Sequence, residues 1–91
     1  MEKEFILKSI PFRFSDVDVK QAAKKTVHGK RDRVKFYAEI DGRLYPARQL
    51  LVEMIRNKGV TMPDIITHQA IGIIRALGFE IKEILKSYNR I

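Results

Sequence analysis

The stretch RVKFYAEIDGRLYPARQLL, Arg33 to Leu51, decides how the rest of the chain folds. Val34, Phe36, Ala38 and Ile40 alternate with Arg33, Lys35, Tyr37 and Glu39. Period-two alternation predicts a half-buried strand over 33–40, with the first set inward and the second outward. Asp41-Gly42 follows, a dipeptide that tolerates positive φ at a two-residue hairpin, and Arg43-Leu44-Tyr45 can form the return strand. Pro46 ends the ladder and suits the first position of a helix, where its missing N–H is no loss. A helix of about 12 residues then runs to Gly59, with Leu50, Leu51, Met54 and Ile55 inward and Arg48, Gln49, Glu53 and Arg56 outward.

Upstream, Phe5-Ile6-Leu7 predicts a brief strand that stops at Ser9-Ile10-Pro11, because proline cannot donate to a ladder. Ser15-Asp16-Val17-Asp18 predicts a helix start: Ser15 can accept from first-turn amides, and the carboxylates suit the positive helix end. Val19, Ala22, Ala23, Thr26 and Val27 recur at helical spacing up to Gly29, a left-handed cap. Downstream, Thr61–Asp64 reads as a turn and Thr67 as the N-cap of a helix with the stripe Ala70, Ile71, Ile74 and Leu77. Gly78 closes it, Phe79–Lys82 alternates like a strand, and Ile84–Ile91 is a short helix or tail. Gly72, inside the helix, implies close packing or a close approach of backbone to a ligand. The order strand, helix, hairpin, helix, helix, strand predicts an α+β fold. Its expected form is a small antiparallel sheet with three to four helices packed on one side, winged-helix-like, in a single DNA-binding-type domain over residues 1–91.

Ninety-one residues can bury roughly 60–65% of their unfolded surface, which suffices for one core. With no cysteine there is no disulfide, thiolate nucleophile or cysteine-ligated metal. The longest apolar run, Ala70–Ile74, falls far short of the roughly 20 residues that span a bilayer, and the N-terminus lacks a signal-peptide pattern, so a cytoplasmic protein without membrane contact is expected. His28 and His68 stand in no ligand-like spacing, and there is no GxGxxG or Walker-type phosphate loop. The expectation is a non-enzyme with no metal and no cofactor.

The net charge of +7 is localised: residues 20–58 carry eleven basic and four acidic side chains, while the flanking segments nearly balance. That is the electrostatic footprint of a polyanion binder, unless the cations simply solvate exposed faces. Lys30, Arg31, Arg33, Lys35, Arg43 and Arg48 gather around the hairpin and the following helix start. Planar arginine forks, lysine point charges and helix amides together suit phosphates. Tyr45 and Pro46 either join that surface or pack against the helix that they introduce. His68 and Gln69 occupy first-turn positions from which side chains reach base edges, or are ordinary exposed residues. Duplex DNA is the expected partner. The alternative is a protein-interaction or dimerisation subunit that uses the 65–77 helix together with Ile84, Leu85, Tyr88 and Ile91.

Val34–Leu51 resembles the strand-DG(R/K)xYPxK-helix segment of the sulfur-recognition domains of modified-DNA restriction endonucleases of the HNH type. Thr67-His68-Gln69-Ala70 with Ile73–Ile81 is similar to their closing pattern, a threonine- or asparagine-led helix ending in LGFxV. The resemblance spans about half of the chain and implies DNA binding, with a backbone phosphorothioate held in a shallow apolar cavity ringed by basic residues. It would place Tyr45 and Pro46 in the cavity wall. Arg48 stands where the family often has lysine. Gln49 replaces a usual small residue such as alanine and would bring a polar amide to the rim. No HNH nuclease segment follows, so the resemblance implies a freestanding reader, or a piece of a larger system, that does not itself cut DNA.

Overall fold

A computed structural model describes residues 2–30 and 33–84. Among these residues five strands and three helices follow in the order β1 (Lys3–Leu7), β2 (Ile10–Phe14), α1 (Asp16–Ala23), β3 (Phe36–Ile40), β4 (Arg43–Pro46), α2 (Ala47–Arg56), α3 (Thr67–Ala76) and β5 (Glu80–Glu83). The fold is α+β, with two antiparallel sheets rather than one: the hairpin β1-β2, and a three-stranded sheet in the order β4-β3-β5.

The segment read as one strand stopped by proline is the β1-β2 hairpin. Lys8 and Ser9 both adopt positive φ, +51° and +68°, and make the two-residue turn without the Asn-Gly or Asp-Gly signature. Leu7 pairs with Ile10 across the turn and Ile6 with Pro11. The pair that closes such a turn exchanges both ladder bonds, so Pro11 falls in the next pair, where no N–H is required. Phe12 and Phe14, two residues apart on one face, are buried with their rings stacked at 5.6 Å.

α1 is shorter than its periodicity suggests. Ser15 is the N-cap and forms a capping box with Asp18, whose carboxylate accepts the Ser15 N–H at 2.7 Å and also pairs with Lys58 at 3.3 Å. At the other end the Thr26 hydroxyl donates to the Ala22 carbonyl at 2.9 Å, replacing the helical amide bond, and the helix ends at Ala23. Val27, expected inward, is 65% exposed as a result. The segment then meets β4, where the Gly29 N–H donates to the Leu44 carbonyl at 2.7 Å.

Asp41 and Gly42 make the predicted turn with φ of +52° and +80°. β3 is shorter than 33–40 and pairs with β4 on one side and β5 on the other, which places Tyr45 and Ile81 beside Ala38. Tyr37, expected outward, is fully buried, and its hydroxyl donates to the Val34 carbonyl at 3.1 Å. Both faces of this central strand therefore exclude water at that point. Glu53, also expected outward, is buried and accepts from Arg56 at 2.9 Å.

The core joins Leu50, Leu51, Met54 and Ile55 of α2 to Val19 and Ala22 of α1, Ala70, Ile73 and Ile74 of α3, and the apolar face of the three-stranded sheet. Ile73 replaces Ile71 in the expected α3 stripe, and Ile71 is only half-buried. Thr67 is the first helical residue rather than the cap; Ile66 precedes it, and the Ile66 N–H donates to the Gln69 side chain at 3.1 Å. Gly78, at φ +97°, closes α3. Gly72 is exposed, and a Cβ there would meet nothing within 4 Å, so close packing is not its role. Of the expected short helix or tail Ile84–Ile91, all but Ile84 lies outside the described residues. Among the described residues no helix is long and apolar enough to cross a membrane.

Candidate nucleic-acid interface

The register that joins β3 to β4 brings the beginning of one strand beside the end of the other, where α2 begins. A cleft of about 370 Å³ opens there, lined by Arg33, Val34, Lys35 and Phe36 from the chain entering β3, Pro46, Arg48 and Gln49 from the start of α2, and Thr67 and His68 from the start of α3. Among the described residues three cations line it and no carboxylate does. The segment 33–35 is held in place from behind, since the Ile84 N–H donates to the Lys35 carbonyl at 2.7 Å. The Arg33 and Lys35 side chains are exposed and have no partner among the described residues.

Two helix N-termini reach this cleft. Neither α2 nor α3 has an acidic residue in its first turn, whereas α1 has Asp16 and Asp18. The positive ends of α2 and α3 are thus left uncompensated beside three cations, an arrangement suited to an anion. Val34, Phe36 and Pro46 supply apolar wall between the charges.

Arg48 does two things. Its Nε donates to the Ile65 carbonyl at 2.6 Å, and a terminal nitrogen of the same guanidinium donates to the Pro63 carbonyl. These bonds tie the turn between α2 and α3 to the first turn of α2 and so fix where Thr67 and His68 begin. A guanidinium has five N–H donors, so the remaining ones can still face the cleft. On the far side of the same turn, Asp64 pairs with Lys8 of the β1-β2 turn at 2.6 Å. The hydrogen bond from Lys8 holds the Asp64 carboxyl below the usual carboxylate range, against a small opposing effect of burial.

The fold gathers only part of the expected set. Arg33, Lys35, Pro46, Arg48, Gln49 and His68 meet in the cleft. Arg43 and Tyr45 line a different one, beside α1. Tyr45 is 7% exposed with its ring edge-on to His28 at 6.0 Å, so it is not in the wall beside Pro46. Gln69 caps α3 through the Ile66 amide and does not line the cleft. Lys30 is exposed next to Gly29, and Arg31 lies outside the described residues. Val34, Phe36 and Thr67, which sequence reasoning did not single out as site residues, complete the described lining. Thr67 carried a signal as a helix-start residue, while Phe36 was legible only as an inward strand position. No three His, Asp or Glu side chains gather as a metal site requires among the described residues. Comparison with known protein families, curated proteins and solved structures finds no match.

Proposed function

We propose that this chain is a non-catalytic DNA-binding module that grips backbone phosphate in the cleft between the 33–35 segment and the starts of α2 and α3. One observation supports the reading: three cations and two helix N-termini face one cleft that has no carboxylate among its described lining residues. Arginine forks and first-turn amides are common donors to phosphate oxygens, and such contacts set affinity without reading sequence. Arg33 adds support, because a non-glycine residue at φ +69° costs about 1 kcal/mol that functional positions tend to retain. The apolar wall of Val34, Phe36 and Pro46 favours a phosphorothioate, since sulfur is less strongly hydrated than oxygen, and the Gln49 amide limits that preference. The resemblance to sulfur-recognition domains points the same way.

The protein-interaction alternative would draw on the apolar stripe of α3, yet Ala70, Ile73 and Ile74 are spent in the chain's own core. The test is a binding titration with duplex DNA, single-stranded DNA and RNA over a range of salt, with matched phosphate and phosphorothioate duplexes. Duplex affinity should fall with log salt by about 0.9 per phosphate neutralised, and the phosphorothioate should bind modestly tighter. A salt-independent response overturns the phosphate reading, and equal affinity for the two duplexes overturns sulfur selectivity alone.

A further inference from the structure

The early end of α1 and the Gly29–Leu44 hydrogen bond create a second cleft, of about 500 Å³, between α1 and the turn of the β3-β4 hairpin. Its cations come from different elements: Lys20 from α1, Lys24 at the cap just past its end, and Arg43 from β4. All three are exposed and have no partner among the described residues. Asp41 is the single carboxylate among the described residues of the lining. Lysines at a helix C-terminus can simply offset the macrodipole, which would account for Lys24. It does not account for Arg43 or for Tyr45. The Tyr45 ring is more than nine-tenths buried, yet its hydroxyl finds no hydrogen-bond partner among the described residues. A tyrosine hydroxyl that is buried normally has a partner, so an unpartnered one lining a cationic cleft is a donor awaiting an acceptor.

We propose that this second cleft is a separate phosphate-binding site, in which Lys20, Lys24 and Arg43 supply charge and the Tyr45 hydroxyl donates to a phosphate oxygen. The source of the phosphate rests on the nucleic-acid reading above and is the backbone of the same duplex. Ile40 lines the second cleft and Phe36 the first, four residues apart on β3. At strand rise that is about 13 Å, a separation over which one duplex can present phosphates to both.

The test is a titration of the full chain with a short DNA duplex, followed residue by residue in amide NMR spectra, together with salt titrations of two variants. Signals of Lys20, Lys24 and Arg43 should shift along with those of Arg33, Lys35 and His68. Replacing the three cations in K20Q/K24Q/R43Q should make the salt dependence shallower by up to about 2.7 in slope, at about 0.9 per contact. A control that removes three exposed cations elsewhere, K3Q/R13Q/R75Q, should change it less. Tyr45→Phe keeps the packed ring and should weaken binding about three- to tenfold with the slope unchanged, since the lost donor is neutral. If only the Arg33, Lys35 and His68 signals move and the triple variant behaves as the control does, the second site is overturned while the first stands. If only the Lys20, Lys24 and Arg43 signals move, the second site stands and the first is overturned. If neither group moves, both are overturned.

Discussion

Replacing Arg48 by lysine separates the two roles of this side chain, because the charge stays while the planar fork is lost. The guanidinium donates to the Ile65 and Pro63 carbonyls, the first at 2.6 Å beside a side chain that is 1% exposed. Hydrogen bonds from a charged group contribute about 1.5–3 kcal/mol when partly buried, and the Pro63 bond, exposed to water, contributes less. The whole clamp is then worth about 2 kcal/mol. An ammonium can restore one of the two bonds but not both geometries, so Arg48→Lys should destabilise by about 1 kcal/mol. In a chain of this size that lowers the melting temperature by about 4–8 °C. The loosened turn no longer fixes the start of α3, so duplex affinity should fall about three- to tenfold although the net charge is unchanged. Thermal unfolding by circular dichroism and fluorescence anisotropy with a labelled duplex check the two effects. A variant that melts within about 1 °C of the wild type refutes the clamp. One that melts lower but binds equally well refutes its role in positioning α3.

Reversing charge in R33E/K35E should weaken binding to every duplex sequence alike, with the melting temperature nearly unchanged because both side chains are exposed; sequence-dependent loss in a binding panel would contradict phosphate gripping. Tyr45→Ala removes a buried ring beside Ala38 and should destabilise by about 3 kcal/mol in urea unfolding, a loss that Tyr45→Phe should largely avoid. The lowered Asp64 carboxyl ties the β1-β2 turn to the α2–α3 turn at neutral pH. A depressed folded value means that this support is present above the ordinary carboxylate range and is lost as pH falls through the lowered value. Lys8 and Ser9 amide signals should therefore move with that acid titration, and the movement should be absent in Asp64→Asn.

Local chemistry sufficed for the centre of the fold. Alternation over 34–40, the Asp41-Gly42 turn and the 3.6-residue period of α2 agree with one another, so the order strand, turn, strand, helix was legible, although Pro46 closes β4 rather than opening α2, which ends at Arg56. The β1-β2 hairpin was not, since Lys8-Ser9 adopts left-handed backbone without glycine and Pro11 sits where a ladder bond is not needed. The cations near the hairpin and α2 were legible as a group by density of charge, but their division was not. Neighbours such as Tyr45 and Pro46 diverge into separate clefts at a strand-to-helix junction, and Thr67 joins Arg33 only because α3 packs across α2. Spacing along the chain was enough for the β3-β4 hairpin, the existence of three helices and the place where positive charge concentrates. The burial of Tyr37 and Glu53, the Arg48 clamp and the sharing of cations between clefts emerge only on packing, because each depends on side chains that distant segments bring within a few ångströms.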